Sequence, residues 1–109
     1  MITLIIRWNI HPDKIQAYTA WAQSAVPRLL AAPGLSELRA YRPLIGDSQV
    51  VTVYEFASLE DWITWNTSAD VRETTEARRA FTLNERSELW GASPTWPEPL
   101  RAEGETPST

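Results

Sequence analysis

Residues 49–65 read QVVTVYEFASLEDWITW, a strand, its exit and the start of a helix. Gln49 to Phe56 alternates with period two and is rich in β-branched and aromatic side chains, which suit a pleated, half-buried surface. Tyr54 and Phe56 share a strand face with Val50 and Thr52, so they are expected to pack under helices whatever the protein does. Ser58 precedes Asp61 at capping-box spacing, with Asp in the place usual for Glu or Gln, and opens a short helix bearing Trp62 and Trp65. Upstream, Gly46-Asp47-Ser48 is turn chemistry. Leu35 to Leu44 reads as the strand that this turn joins to 49–56 in a hairpin.

Working outward, residues 2–10 place Ile2, Leu4, Ile6, Trp8 and Ile10 on one side of a strand and Thr3, Ile5, Arg7 and Asn9 on the other. His11-Pro12-Asp13 marks a helix start, with His11 as a surface or capping group. Ile15, Tyr18, Ala22, Ala25, Val26, Leu29 and Leu30 then recur at helical spacing over roughly 20 residues. Pro27 is expected to kink that helix or weaken its last turn, and Pro33-Gly34 to end it. Ser68 is a second cap, for a helix from about Ala69 to Arg79, and a last strand is expected over about 82–90. Beyond Gly91 the chain turns proline-rich, so residues 1–91 are expected to form the domain and 92–109 a tail. The order β-α-β-β-α-β predicts an α+β, ferredoxin-like sandwich with helices on one face of a four-stranded antiparallel sheet. Apolar residues on both strand faces predict a second copy over the bare face, a symmetric homodimer. Arg7 and Glu55, on that face, are expected to pair across strands one and three.

Composition narrows the chemistry. The chain has 109 residues, 43% hydrophobic and 22% charged, the size of one domain with one modest core. Its net charge is −4, without a basic stripe, which argues against nucleic acid. With no cysteine, thiolate metal sites and cysteine nucleophiles are ruled out, and His11, the one histidine, cannot build a multi-histidine metal site. No apolar run approaches the roughly 18 residues of a membrane span, and MITLIIRWNI lacks a basic n-region and is too short for a signal peptide, so a cytoplasmic protein is expected. The arginines Arg72, Arg78, Arg79 and Arg86, with nearby glutamates, read as a solvated face. Trp96, a lone indole among prolines, is expected to cover a surface: the partner subunit or the mouth of a pocket.

Several of these segments carry a resemblance. MITLIIRWNI followed by HPDK, Ala32-Pro33-Gly34-Leu35 at the helix end, VVTVYEFASLEDWITW and the downstream SADVR together resemble the antibiotic biosynthesis monooxygenase domain of the dimeric α+β barrel superfamily, over about residues 2–91. The resemblance implies two ferredoxin-like sheets paired as a barrel. Members include cofactor-independent oxygenases of aromatic polyketides, quinol oxygenases, haem-degrading enzymes and proteins without known activity. The haem-degrading branch uses an Asn, a Trp and a His. Ile6 stands at the Asn position, Trp65 fits the Trp, and Thr74-Thr75-Glu76 occupies the region of the His, so no imidazole is there to bind iron. The polyketide-oxygenase branch uses an Asn and an aromatic residue four apart on the third strand, an aromatic on the next helix and an Arg beyond. The matching positions are Thr52, Phe56, Trp62 and Arg78 or its neighbour, with the Asn replaced.

That likeness implies a substrate site of Thr52, Tyr54, Phe56, Trp62, Trp65 and Arg78. Arg78 would steady a phenolate and the rings of Tyr54, Trp62 and Trp65 would hold a flat aromatic, with no cofactor needed. Read without the family, Trp62 and Trp65 are more readily core than ring-binding. The expected function is oxidation of a phenolic, anthrone- or quinol-like ring by dioxygen. A non-catalytic small-molecule-binding or structural homodimer is the alternative, and an isomerase or cyclase the third reading.

Overall fold

Residues 1–103 are described by a computed structural model. The period-two run folds as β3 (Val50–Phe56), with Thr52, Tyr54 and Phe56 buried. β1 (Ile2–Ile10) lies antiparallel beside it, from Ile2 opposite Phe56 to Trp8 opposite Val50. β2 (Glu37–Tyr41) pairs on the outer side of β3 and β4 (Thr82–Trp90) on the outer side of β1. The order is β2-β3-β1-β4, antiparallel throughout. This is the expected ferredoxin-like α+β fold.

The helices form where the caps predict. His11 Nδ1 accepts a hydrogen bond from the Asp13 amide at 3.2 Å and opens a 3₁₀ turn, Pro12–Lys14, that leads into α1 (Ile15–Ala31). α1 runs through Pro27, which cannot donate to the Gln23 carbonyl one turn back. Its buried stripe is narrower than its apolar pattern: Ala25 and Leu29 are buried, whereas Ile15 and Leu30 are 56% and 55% exposed. Ser58 Oγ accepts from the Asp61 amide at 3.1 Å to start α2 (Leu59–Asn66), and Ser68 Oγ accepts from Val71 at 3.3 Å to start α3 (Ala69–Arg78). Each such cap contributes about 1 kcal/mol.

All three helices pack on the even-numbered face of β1 and β3. Leu4, Ile6, Trp8, Tyr54 and Phe56 form the core there with Leu29 of α1, Trp65 of α2 and Val71 of α3. The Trp65 indole N–H donates to the Leu29 carbonyl at 3.0 Å and ties α2 to α1. Arg28 reaches from α1 to Asp70 and Glu73 of α3, an exposed cluster of small energetic weight.

Three expectations are corrected. Arg7 and Glu55 do not pair: Thr3 stands opposite Glu55 and gives it a hydrogen bond at 2.8 Å, while Arg7 stands opposite Val51 and Arg86. No turn joins β1 to β3, so the pairing register could not be read from a hairpin. β2 is shorter than Leu35–Leu44, because the chain leaves the sheet after Tyr41 and Pro43 has no N–H for the ladder. Arg78 is not on a solvated face: it is 2% exposed, unlike its neighbour Arg79.

β4 also departs from plain alternation. Arg86 pairs with Arg7 but Leu83 pairs with Asn9, so β4 carries one residue more than β1 between those pairs. Asn84 absorbs it with φ +56, a left-handed conformation that Asn tolerates better than most residues. Across this bulge Leu83 lies on the face away from the helices, with Asn9, and Glu85 on the helix face. Residues 92–103 of the expected tail hold no helix or strand, and Trp96 is 62% exposed. The rest of that tail, 104–109, lies outside the described residues. Among the described residues no helix is long and apolar enough to cross a membrane.

Candidate functional site

A cavity of about 260 Å³ lies between the helix layer and the sheet. Leu4, Ile6 and Tyr54 line it from β1 and β3, Trp62, Trp65 and Asn66 from α2, Thr75 and Arg78 from α3, and Glu85 and Ser87 from β4. The sequence dictates much of this wall. Trp62 and Trp65 sit three apart on one α2 face, which the Ser58 cap and the chain exit from β3 aim at the sheet. The alternation of β3 turns Tyr54 toward them, with the Tyr54 and Trp65 ring centroids 5.1 Å apart.

Four of the six residues marked from the sequence, Tyr54, Trp62, Trp65 and Arg78, therefore meet around one space. The other two lie outside its lining. Phe56 is fully buried against Trp65, ring centroids 5.3 Å apart. The Thr52 hydroxyl donates to the Ile6 carbonyl at 3.2 Å within the sheet. The two tryptophans are not alike. Trp65 is 2% exposed and its N–H is satisfied, so it is as much core as wall. Trp62 is half-buried, and its indole N–H is buried without an acceptor among the described residues. A buried orphan donor is costly.

Arg78 is the electrostatic centre. Its Nε donates to Glu85 Oε1 at 2.6 Å, and its guanidinium lies over the Trp8 ring at 4.8 Å. The arginine side chain is 3% exposed and the glutamate side chain 26%, so the cation sits inside and the carboxylate toward the opening. Burial pushes the Tyr54 hydroxyl above the usual tyrosine range, with the Thr52 hydroxyl and the Arg78 charge opposing it. Burial also raises Tyr18, which accepts a 3.2 Å hydrogen bond from the Trp8 indole. Both phenols thus stay protonated at neutral pH. Among the described residues no cluster of three or more His, Asp or Glu side chains stands together as a metal site.

Glu85, Asn66, Thr75 and Ser87 were not foreseen. Glu85 keeps the helix face by plain alternation with Ser87 and Leu89, which pair with Ile6 and Leu4, and it is Leu83 that the bulge turns away.

The sequence profile described as "Antibiotic biosynthesis monooxygenase" matches residues 1–77. No curated protein matches the chain by sequence. Among solved structures, SnoaB, a cofactor-independent oxygenase from Streptomyces nogalater, superposes with a TM-score of 0.67 at 17% identity, over 89% of this chain and 97% of that one. A dabb family protein with a ferredoxin-like fold from Mesorhizobium loti gives 0.72 at 15%, over 82% and 93%. A dimeric protein of unknown function and ferredoxin-like fold from Bacteroides fragilis gives 0.63 at 10%, over 82% and 93%. At these identities the likeness is one of fold.

Proposed function

The chain belongs to the antibiotic biosynthesis monooxygenase family, and from that premise we propose that it oxidises a small phenolic, anthrone- or quinol-like ring with dioxygen in the cavity under α2, without a cofactor. The observation that carries this reading is the cavity wall itself: aromatic rings and a buried cation around one space. Tyr54, Trp62 and Trp65 hold the ring by stacking and edge contacts. The ring hydroxyl passes its proton to the Glu85 carboxylate, so the site keeps its net charge and the Arg78 charge is left to steady the oxyanion. The electron-rich ring passes one electron to dioxygen, and the resulting radical and superoxide join at a ring carbon as a peroxide. The peroxide takes the proton back, and loss of water with the hydrogen of that carbon leaves a carbonyl there: one oxygen atom in the product, the other in water.

Oxygen uptake by purified protein across a panel of anthrones, naphthols and hydroquinones tests this. Uptake above the protein-free rate is expected, falling about tenfold in Trp62→Ala as the stacking surface is lost. A flat response across the panel overturns it. The second reading, a binding protein without turnover, is favoured by Thr52: it stands where the oxygenase branch has Asn, and its hydroxyl is spent on the Ile6 carbonyl.

We also propose that the chain works as a homodimer through the sheet face that the helices leave bare. Across β2, β3, β1 and β4 that face carries Glu37, Glu55, Thr3 and Trp90 in one row, Arg39, Val53, Ile5 and Glu88 in the next, and Tyr41, Val51, Arg7 and Arg86 in the third. Arg7 and Arg86 are directly opposite, an unfavourable like-charge pair, and neither has an ion-pair partner among the described residues. A second copy turned end for end lays the arginine row over the Glu37–Glu55 row and the Ile5–Val53 centre over itself, the self-complementarity a two-fold interface requires. The double variant Arg7→Glu, Arg86→Glu is expected to sediment as a monomer where the parent is a dimer. Adding Glu37→Arg and Glu55→Arg restores the dimer. A monomeric parent protein sinks the proposal.

A further inference from the structure

Reading the cavity as the ligand site, we propose that Glu85 makes it selective for neutral hydroxylated aromatics over carboxylated ones, by accepting the hydrogen bond of the ring hydroxyl. Among the described residues Glu85 is the only carboxylate on the cavity wall. One of its oxygens, Oε1, takes the Arg78 Nε–H at 2.6 Å, and the other has no partner among the described residues. Trp62 offers only a donor and the Tyr54 phenol stays protonated, so Glu85 is the one charged acceptor that a bound hydroxyl meets. Glu85 shares the helix face with Ser87 and Leu89, which pair with Ile6 and Leu4.

Charge balance supplies the selectivity. Arg78 and Glu85 neutralise each other, and Arg79, the other cation on the wall, is exposed and bound to Glu76 at 2.9 Å. A ligand carboxylate therefore enters an enclosed space that already holds one carboxylate per buried cation, and it brings a charge with no counter-ion. Arg28 shows the contrast. It holds both Asp70 and Glu73, but its side chain is 41% exposed and water shares the load, whereas that of Arg78 is 3% exposed. A ring hydroxyl brings no charge and finds an open acceptor. Rejection here rests on a repulsive element built into the wall.

Calorimetric titration with 2-naphthol and 2-naphthoate, matched in ring and size, tests this. At pH 7 the first is neutral and the second ionised. The parent protein is expected to bind 2-naphthol at least about tenfold more tightly. Glu85→Gln keeps an acceptor for Arg78 Nε but removes the charge, so the preference is expected to shrink about tenfold, mainly through gain of naphthoate. Equal affinities in the parent, binding of neither ligand, or an unchanged ratio in folded Glu85→Gln overturns the proposal. If Glu85→Gln does not fold, the parent ratio decides. Oxygen uptake reports separately: a silent oxygen electrode with the affinity ratio intact defeats the monooxygenase reading alone, and turnover with equal affinities defeats this one alone.

Discussion

Trp65→Ala is expected to destabilise the protein by about 3–5 kcal/mol, the range for deleting a buried tryptophan side chain. Trp65 is 2% exposed between the Tyr54 and Phe56 rings, so truncation opens a void that two aromatic neighbours cannot fill without leaving their rotamers. It also strands the Leu29 carbonyl, which loses its 3.0 Å donor. Typical domains have only about 5–15 kcal/mol in total, so the variant should unfold at a much lower guanidinium concentration. The comparison must be made at one protein concentration, because the proposed dimerisation would contribute to apparent stability. Trp65→Phe refills most of the void but leaves the carbonyl unpaired, and should lose about 1–3 kcal/mol. Trp62→Ala, three residues away on the half-buried wall, should lose less stability than Trp65→Ala and more ligand affinity. An unchanged midpoint for Trp65→Ala contradicts the assignment of α2 to the core.

That contrast marks where the sequence stops being legible. Period-two alternation disclosed β3, and the Ser58 and Ser68 hydroxyls disclosed both helix starts, because those signals are local. Which of Trp62 and Trp65 is core is not local: it depends on how α2 rolls against Leu29 and Phe56. Arg78 looked solvated because α3 is polar nearly throughout, with only Val71, Thr74 and Arg78 buried. Its burial depends on Glu85, seven residues and a bulge away in a different element. The Arg7–Glu55 pairing failed for the same reason, since register between strands not joined by a turn is set by the whole sheet. The site residues that sequence reading reached are those on regular elements, Tyr54, Trp62, Trp65 and Arg78. Glu85 escaped because a carboxylate on the helix side of β4 is held there by Arg78, a partner in another element.

Gly34→Ala tests the support beneath the same helix. Gly34 closes the loop after α1 with φ +105, where a side chain costs about 1–3 kcal/mol from the backbone alone. A Cβ there would also strike the Asp61 carbonyl oxygen in the first turn of α2 and crowd the Trp65 Cβ at 3.2 Å. The obstacle is mostly backbone, so it cannot swing aside: α2 has to move off the loop. Gly46 provides the control. Its φ is +120, but a Cβ at that position meets nothing within 4 Å. Gly46→Ala should therefore show the conformational cost and no more. Gly34→Ala should lose distinctly more stability and, in the fraction that still folds, bind ring ligands more weakly, because Trp62 and Trp65 ride on the displaced helix. If the two variants lose the same stability and both keep full ligand affinity, the loop does not set the position of α2. If only Gly34→Ala loses affinity, the Pro33-Gly34 junction is a determinant of the cavity as well as of the fold. A glycine 28 residues from Trp62 in sequence then governs how wide the site opens.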